Sequence, residues 1–455
     1  MTERRRVEGA RSGKPCVVVG AGLAGSLMSV FLARRGFEVE VFERRADMRQ
    51  GVAAGGRSIN LALSTRGLQA LSRVGMARAI TSLAIPMSGR MIHAVDGGLD
   101  FQPYGKQGQA ILSVSRQALN EVLMDLAEAE AGVNFHFEHK CVDVNLSTGQ
   151  AVVRDLRDGE VREVDGQVLL GADGAFSKVR RRIQRTPGFN YEQAFLGHAY
   201  KELTIPATSS GGFALSPNAL HIWPRRDFML IALPNLDRSF TCTLFLSKRG
   251  EMSFEALSSP EDVLQFFLHW FPDAQALMPT LLEDYFGNPT GDLVTIRCDP
   301  YQVGGRVGLI GDAAHAVVPF FGQGMNASFE DCAIMDELIA RHGADWPRVL
   351  SAFSAARKPA LDALADLSLA NYTQMRSEVR SPLYKARKKL DLFLYERLPE
   401  GTFVPLYNMV TFSTMPYDEA VARAARQDRW ITAGLGLGAA ALGGAGYYLW
   451  RRHRR

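Results

Sequence analysis

Cysteine is scarce and scattered in this chain of 455 residues. The five thiols, Cys16, Cys141, Cys242, Cys298 and Cys332, are odd in number, form no CxxC pair and show no metal-ligand spacing. That argues against a disulfide scaffold, a metal site or a redox dithiol, and for a reducing compartment with buried thiols. Excess charge is missing from most of the chain as well. The net charge is +4, yet Arg451, Arg452, Arg454 and Arg455 supply four of the 52 Lys and Arg, leaving 48 cations against 48 anions before them. A neutral body lacks the broad basic face that a nucleic-acid binder needs for phosphate neutralisation. The amino-terminal stretch Met1–Lys14 is polar and Arg-rich, without the apolar core of a secretory signal. Internal repeats are also absent.

Long hydrophobic runs are lacking with one exception. From Trp430 to Trp450 there are 21 residues without a charge, between Arg429 and Arg451. As a helix the run would reach about 31 Å, close to the thickness of a bilayer core. Trp430, Tyr447, Tyr448 and Trp450 lie near its two ends, as in an interfacial aromatic belt. Six glycines weaken both its hydrophobicity and its helix propensity, although Gly434 and Gly438 form a small-xxx-small face. Two readings follow: a membrane tail anchor over 427–455, its basic end held on the cytoplasmic side, or a Gly-rich tail without fixed structure.

The rest has the make-up of a folded protein, 47% hydrophobic and 22% charged, long enough for two or three packed units. Lys14 to Gly20 is a short apolar run suited to a buried parallel strand, Leu23 to Arg35 has helical spacing, and Glu38 to Glu43 returns to a strand pattern. The opening is a βαβ unit. Helices are expected at Arg66 to Val74 and Gln117 to Ala131, a small meander between Phe135 and Val164, and a buried strand at Val168 to Gly171. Strand-like runs at Ala199 to Ile205, His221 to Trp223, Phe228 to Leu233 and Phe240 to Leu246 suggest an inserted antiparallel sheet. A buried strand returns at Arg306 to Ile310, followed by helices from Met325 to Arg341 and Trp346 to about Arg380.

Three blocks carry chemistry. Gly20-Ala-Gly22-Leu23-Ala24-Gly25 is a GxGxxG turn between strand and helix, with Glu43 ending the next strand and 17 residues between it and Gly25. Gly20 permits the turn, Gly22 lets backbone approach a pyrophosphate, Gly25 lets helix and strand pack, and Glu43 can accept from ribose hydroxyls. Gly171-Ala-Asp173-Gly174 also joins strand to helix, and by itself reads equally well as a turn with an Asp cap. Gly311-Asp312 followed by Pro319-Phe-Phe-Gly322-Gln-Gly324-Met325-Asn326 is more distinctive. It sets Asp312 at a strand end, able to bond a ribityl hydroxyl, and bare amides at a helix start, facing an electron-rich ring edge. His315 invites a catalytic role, but a structural hydrogen bond near the turn is the better reading.

In this order the three blocks resemble the class A FAD-dependent aromatic hydroxylases, which share the para-hydroxybenzoate hydroxylase fold. Gly56-Arg-Ser-Ile-Asn-Leu-Ala62-Leu-Ser-Thr-Arg-Gly67, Met87-Ser-Gly-Arg90-Met-Ile-His93, Pro103-Tyr104-Gly105, Leu112-Ser-Val-Ser-Arg116, His221-Ile-Trp-Pro-Arg225 and Phe403-Val-Pro-Leu-Tyr407 look like the kynurenine 3-monooxygenase family within that class. The resemblance runs from about Cys16 to Arg426. It implies an α/β fold: a Rossmann-like FAD-binding domain over 1–190 and 291–380, an inserted antiparallel-sheet substrate domain over 191–290, and a C-terminal helical segment over 381–426. It also implies 3-hydroxylation of L-kynurenine with O2 through a flavin hydroperoxide, the alternatives being a same-fold hydroxylase of another aromatic acid or quinone precursor and a membrane-attached flavin-binding redox scaffold. NADPH is the co-substrate, with NADH left open because no second GxGxxG has strand and helix context.

The resemblance further implies substrate contacts at Arg90, Tyr104, Asn371 and Tyr407. Without it, Arg90 would read as a surface salt bridge and the tyrosines as ordinary core. The family often has a second Arg in the Met-x-x-Arg block, where this chain has Ser88-Gly89. For FAD it implies Gly20, Gly22, Leu23, Ala24, Gly25, Glu43, Arg44 and Arg45 at the adenosine and pyrophosphate, and the Cys141 backbone at the adenine. Arg116 falls near the pyrophosphate or flavin, Asp312 at the ribityl chain, and Ala62, Met325 and Asn326 at the isoalloxazine. No acid or base is implied, since the amine of an aniline ring already activates the carbon ortho to it.

Overall fold

The protein is described by a computed structural model covering residues 13–51, 60–377 and 382–433. Strand β1 (Cys16–Val19) is wholly buried, and its β-branched residues suit a strand covered on both faces. It pairs in parallel with β2 (Val39–Phe42) on one side and with Val168–Gly171 on the other. Val168–Gly171 in turn pairs in parallel with Val307–Leu309. The six-stranded sheet so formed is completed by Val133–His136 and Gln302–Val303. Three adjacent parallel strands therefore end together, and each runs into one of the three blocks read from the sequence. In open α/β sheets this carboxyl edge is where ligands bind.

Helix α1 (Leu23–Arg34) begins on Gly22 and buries Gly25 to Leu32 against this sheet. The expected meander is a three-stranded antiparallel sheet of His139–Asn145, Gln150–Asp155 and Val161–Val164. All five cysteines are buried and unpaired. Burial raises each thiol's pKa, so they remain protonated.

The second large sheet has seven strands, in the order Gly291–Asp299, Asn190–Ile205, Phe240–Ser247, Phe228–Pro234, Ala219–Arg225, Gly89–His93 and Leu99–Pro103. Two of its strands thus come from residues 89–103, a stretch that the sequence patterns left without strands. Side-chain alternation gives the sheet two distinct faces. One packs Leu203, Trp223, Phe228, Leu244 and Leu246 against the helices Pro260–Trp270, Pro272–Gln275 and Leu281–Gly287. The first of those helices starts on a capping box, with Ser259 accepting from Asp262 N–H and Asp262 accepting from Ser259 N–H. The opposite face packs Ile92, Ile222, Met229 and Phe245 against Val318, Phe320 and Tyr372.

The long helices Gly324–His342 and Trp346–Ser377 are joined by buried charge. Asp331 Oδ1 accepts from Arg357 Nε at 2.6 Å, and Oδ2 accepts from Gly311 N–H at 2.9 Å and from His315 Nε2 at 2.5 Å. Arg357 Nη1 donates to Glu330 Oε2 at 2.8 Å, and Arg66 Nη1 donates to Glu330 Oε1 at 2.6 Å. The Arg66 guanidinium lies 4.0 Å from the Tyr417 ring centroid and donates to the Val410 and Met415 carbonyls. His315 is thus a bonded structural residue. Because removing one partner strands buried opposite charge, Arg357→Ala is expected to lower stability by about 3–5 kcal/mol in denaturant titration.

Candidate functional site

The glycine turn shows which of its positions is open. A Cβ on Gly20, where φ is +103°, would lie 2.6 Å from Ala172 O, and one on Gly25 would lie 1.9 Å from Gly20 O. At Gly22 nothing lies within 4 Å of that position. So Gly20 and Gly25 serve backbone packing, while Gly22 faces the space that a pyrophosphate at the α1 N-terminus would take. Glu43 borders this space, its Oε2 accepting from Ala21 N–H and its Oε1 from Arg45 N–H, both at 3.0 Å. Leu23 and Ala24 are half-buried, and Arg44, Arg45, Arg116 and Asp312 are exposed. Cys141 is buried on its strand, Sγ donating to Asp143 O at 3.4 Å.

Asp173 caps the following helix by accepting from Lys178 N–H at 2.6 Å and Val179 N–H at 3.3 Å. Arg180 then donates to Ala313 O at 2.7 Å and Ala175 O at 2.5 Å, tying the second block to the third. Asn326 is fully buried, and its whole amide is engaged. Nδ2 donates to Ala62 O at 2.8 Å and Gly322 O at 2.9 Å, and Oδ1 accepts from Ser64 N–H at 2.8 Å. Its side chain therefore clamps the Asn60–Leu63 strand to the Gly322 turn, and only its backbone is left for a ligand. Gly67 lies under this clamp, where a Cβ would meet Asn326 Oδ1 at 2.5 Å. Met325, next to it, is half-buried. Residues 52–59, which include the start of the Gly56–Gly67 block, lie outside the described residues.

The aromatic and cationic side chains meet on the front of the seven-stranded sheet. Arg90 pairs in register with Leu220, and its guanidinium lies 4.9 Å from the Tyr407 ring centroid and 5.6 Å from that of Tyr104. The two tyrosines stack at 5.3 Å, and Tyr407 stacks on Phe321 at 5.7 Å. Asn408 holds this arrangement, donating to Tyr104 O at 3.1 Å and to Gln109 Oε1 at 3.2 Å. A Cβ on Gly105 would fall 2.4 Å from Asn408 Nδ2, which accounts for the glycine in Pro103-Tyr104-Gly105. Burial raises both tyrosine pKa values against the pull of Arg90, so the hydroxyls stay protonated.

Phe320 continues the wall, stacking on Tyr372 at 4.2 Å and tilting on Phe245 at 5.0 Å. Asn371 Nδ2 donates to Phe320 O at 2.5 Å. Leu220 and Ile231 pack against both the Tyr104 and the Phe320 clusters, and Ala62 against the first. The result is a cation and two phenols at one end of an apolar wall, close to Ala62 and the Asn326 clamp.

Comparison with known proteins is consistent with this geometry. Residues 14–368 match the family model described as FAD binding domain. The chain is 48% identical over 412 residues to a kynurenine 3-monooxygenase of Myxococcus xanthus, covering 90% of this chain and 88% of that one. It is 44% identical to the kynurenine 3-monooxygenases of Anopheles gambiae and Sus scrofa, covering 91% and 92% of this chain and 85% and 88% of theirs. The chain belongs to the kynurenine 3-monooxygenase family. The same fold occurs in 2-methyl-3-hydroxypyridine-5-carboxylic acid oxygenase, with a TM-score of 0.65 at 20% identity over 82% of this chain and 96% of that one. It occurs also in PqsL of Pseudomonas aeruginosa, with a TM-score of 0.64 at 20% identity over 82% of this chain and 99% of that one.

For a kynurenine 3-monooxygenase family member, Phe320, Phe321, Leu220, Ile231 and Asn408 are wall or support residues that sequence reasoning did not single out. The first two stood in plain view within the Pro319–Asn326 block. Leu220 and Ile231 follow only from which face of a strand is turned forward. Glu202 is a further unread group. It shares the front face with Tyr200, and burial, opposed by the Arg116 charge, raises its pKa to about 7.

The two kinds of glycine are separable by experiment. Gly25→Ala should lose about 3 kcal/mol or more, because its methyl overlaps backbone. Gly22→Ala should keep its melting temperature while losing FAD retention in gel filtration.

Proposed function

We propose that this chain catalyses the FAD- and NAD(P)H-dependent hydroxylation of L-kynurenine to 3-hydroxykynurenine and water, with Arg90 as the carboxylate anchor. The observation that carries this reading is the Arg90 guanidinium over Tyr104 and Tyr407 at the end of an apolar wall, in a chain 48% identical to a named kynurenine 3-monooxygenase. Kynurenine is an amino acid on an aniline ring, so it needs a cation at one end and an aromatic slot at the other. Arg90 offers a forked donor, and the protonated tyrosines add hydroxyl donors. Asn371 serves a polar substrate group from beside Phe320.

FAD fits the open space at Gly22. In this reading the Gly20–Gly25 turn takes the pyrophosphate and Glu43 the ribose, while Arg44, Arg45 and the Cys141 backbone surround the adenosine. Asp312 takes the ribityl chain, Arg116 the phosphate or flavin side, and Ala62, Met325 and the Asn326 backbone the ring. Bound FAD, reduced by NAD(P)H, supplies the oxygen-activating chemistry. The protein's own part is placement and exclusion of water: Phe320, Leu220 and Ile231 keep the ring carbon in a dry, fixed position. The substrate's amine activates the ortho carbon, so no strong protein base is needed.

Mass analysis after aerobic incubation with NADPH should show kynurenine gaining one oxygen and para-hydroxybenzoate unchanged. Unhydroxylated kynurenine would overturn the assignment. Arg90→Ala should raise the KM for kynurenine about 100-fold through loss of a charge-assisted pair, with FAD retained. Equal loss of both would mark Arg90 as structural.

The tail belongs to the same proposal. Trp430 is 72% exposed in the helical stretch 417–433, and the uncharged run continues to residue 450, with residues 434–455 outside the described residues. Among the described residues no helix is long and apolar enough to cross a membrane. We assign residues 430–450 as a membrane attachment for a cytoplasmic catalytic body. Deletion of 429–455 should abolish co-flotation with phospholipid vesicles and leave hydroxylation intact. Lost FAD would instead show that the segment packs into the body.

A further inference from the structure

The strand bearing Arg90 joins the seven-stranded sheet through a parallel pairing, Gly89 to Ile92 against Ala219 to Ile222. The sheet's other pairings are antiparallel. A slip of one residue there would turn Arg90 to the opposite face. Hydrogen bonds along the backbone allow such a slip, so something else must set the register. Arg90 and Ile92 point forward, with Leu220 and Ile222. His93 and His221 point backward, beneath the helices that cover the rear.

Those two histidines link Ser216 to Asp273 in one linear chain of hydrogen bonds. His221 Nε2 lies 2.9 Å from Ser216 O, His221 Nδ1 lies 2.8 Å from His93 Nε2, and His93 Nδ1 lies 2.9 Å from Asp273 Oδ2. Trp223 Nε1 donates to the same Asp273 oxygen at 2.7 Å, and the Trp223 ring stacks on His93 at 3.9 Å. Arg225 Nη1 donates to His93 O at 3.0 Å, and its Nε donates to Trp270 O at 2.6 Å. His93 and His221 are 4% and 2% exposed.

The proton count follows from the partners. A carbonyl only accepts, so His221 Nε2 carries a proton. Although burial opposes ionisation of Asp273, the His93 and Trp223 bonds hold its carboxyl below the usual range, so it accepts and His93 Nδ1 carries a proton. Two bare nitrogens at 2.8 Å would repel, so one more proton lies between the rings. Burial lowers the His221 pKa to about 4.

We propose that His93 and His221 are positioning residues for substrate recognition, their proton-linked chain to Asp273 fixing the register that presents Arg90 to the substrate carboxylate. The proposal rests on the reading of Arg90 given above. The groups that face the shared proton are Asp273 from the covering helix, His221 from the neighbouring strand and Arg225 from farther along it.

The test uses the FAD-loaded full chain with kynurenine. Asp273→Asn keeps the shape and an acceptor for Trp223 but removes the carboxylate that His93 Nδ1 meets, and His93→Gln breaks the chain directly. Each should raise KM about tenfold with kcat and FAD retention little changed, since a displaced guanidinium loses orientation rather than charge. In an Arg90→Ala background neither substitution should raise KM further. If Arg90→Ala raises KM while both substitutions leave it unchanged, positioning by the histidines fails and the carboxylate role of Arg90 stands. If Arg90→Ala itself leaves KM unchanged, the earlier reading fails first. Parallel loss of FAD or of melting temperature in Asp273→Asn would also overturn the proposal.

Discussion

A carboxylate without solvent exposure holds the two halves of the cofactor side together. Asp331 is fully buried, and burial alone would drive it toward the neutral acid. The charges of His315 and Arg357 and the bonds from His315 and Gly311 hold it ionised instead. Every group it binds belongs to a different piece: the Gly311 turn, the short helix after it and the long helix Trp346–Ser377. Through Arg357, Glu330 and Arg66 the same network reaches the carbonyls of Val410 and Met415. The third motif, the paired long helices and the C-terminal segment bearing Tyr407 are therefore set by one set of buried charges. Geometry matters more here than strength, because such a network tolerates no missing partner.

From that frame the site is assembled by strand alternation. The seven-stranded sheet offers its front to Phe320, Tyr372 and the tyrosine stack, and its back to three helices. Arg90 and His93, three residues apart on one strand, fall on opposite faces and do different work. The guanidinium lies over rings that supply both electron-rich surface and protonated hydroxyls. The buried histidines behind it are bonded to each other and to Asp273. A substrate end is thus set by two layers, one in contact with the ligand space and one behind the sheet.

Much of this was legible in the linear chain, for reasons that differ by element. The βαβ opening, the two later strand-to-helix blocks and the four strands between 190 and 247 are marked locally by apolar runs, glycine and turn residues. The strands at 89–103 escaped because the first pairs with a strand more than a hundred residues away, and the second is an exposed edge whose mixed polar pattern gives no clean alternation. The helices between 260 and 287 escaped for a related reason, being short and set among strands. At the site, Arg90, Tyr104, Asn371 and Tyr407 came from family resemblance. Their residue types allow the roles, but nothing in their spacing brings them together. Asn326 shows the converse. The resemblance put it at the cofactor, yet its amide is consumed by Ala62, Gly322 and Ser64, a fact that only packing reveals.

The sequence by itself determined the fold class and the sites where backbone must approach a phosphate or a ring, because glycine, β-branched strands and helix starts act within a few residues of one another. It also separated a neutral body from a basic end. Tertiary structure alone decided that the ends of three strands meet and that Arg90 faces the tyrosines. It also decided that His315 is held by a buried carboxylate, Asp331, and the buried His93–His221 pair by the more exposed Asp273. Those outcomes depend on which distant surfaces share a face or a hydrogen bond. Register and burial are collective properties of the packed chain, with no counterpart in local spacing.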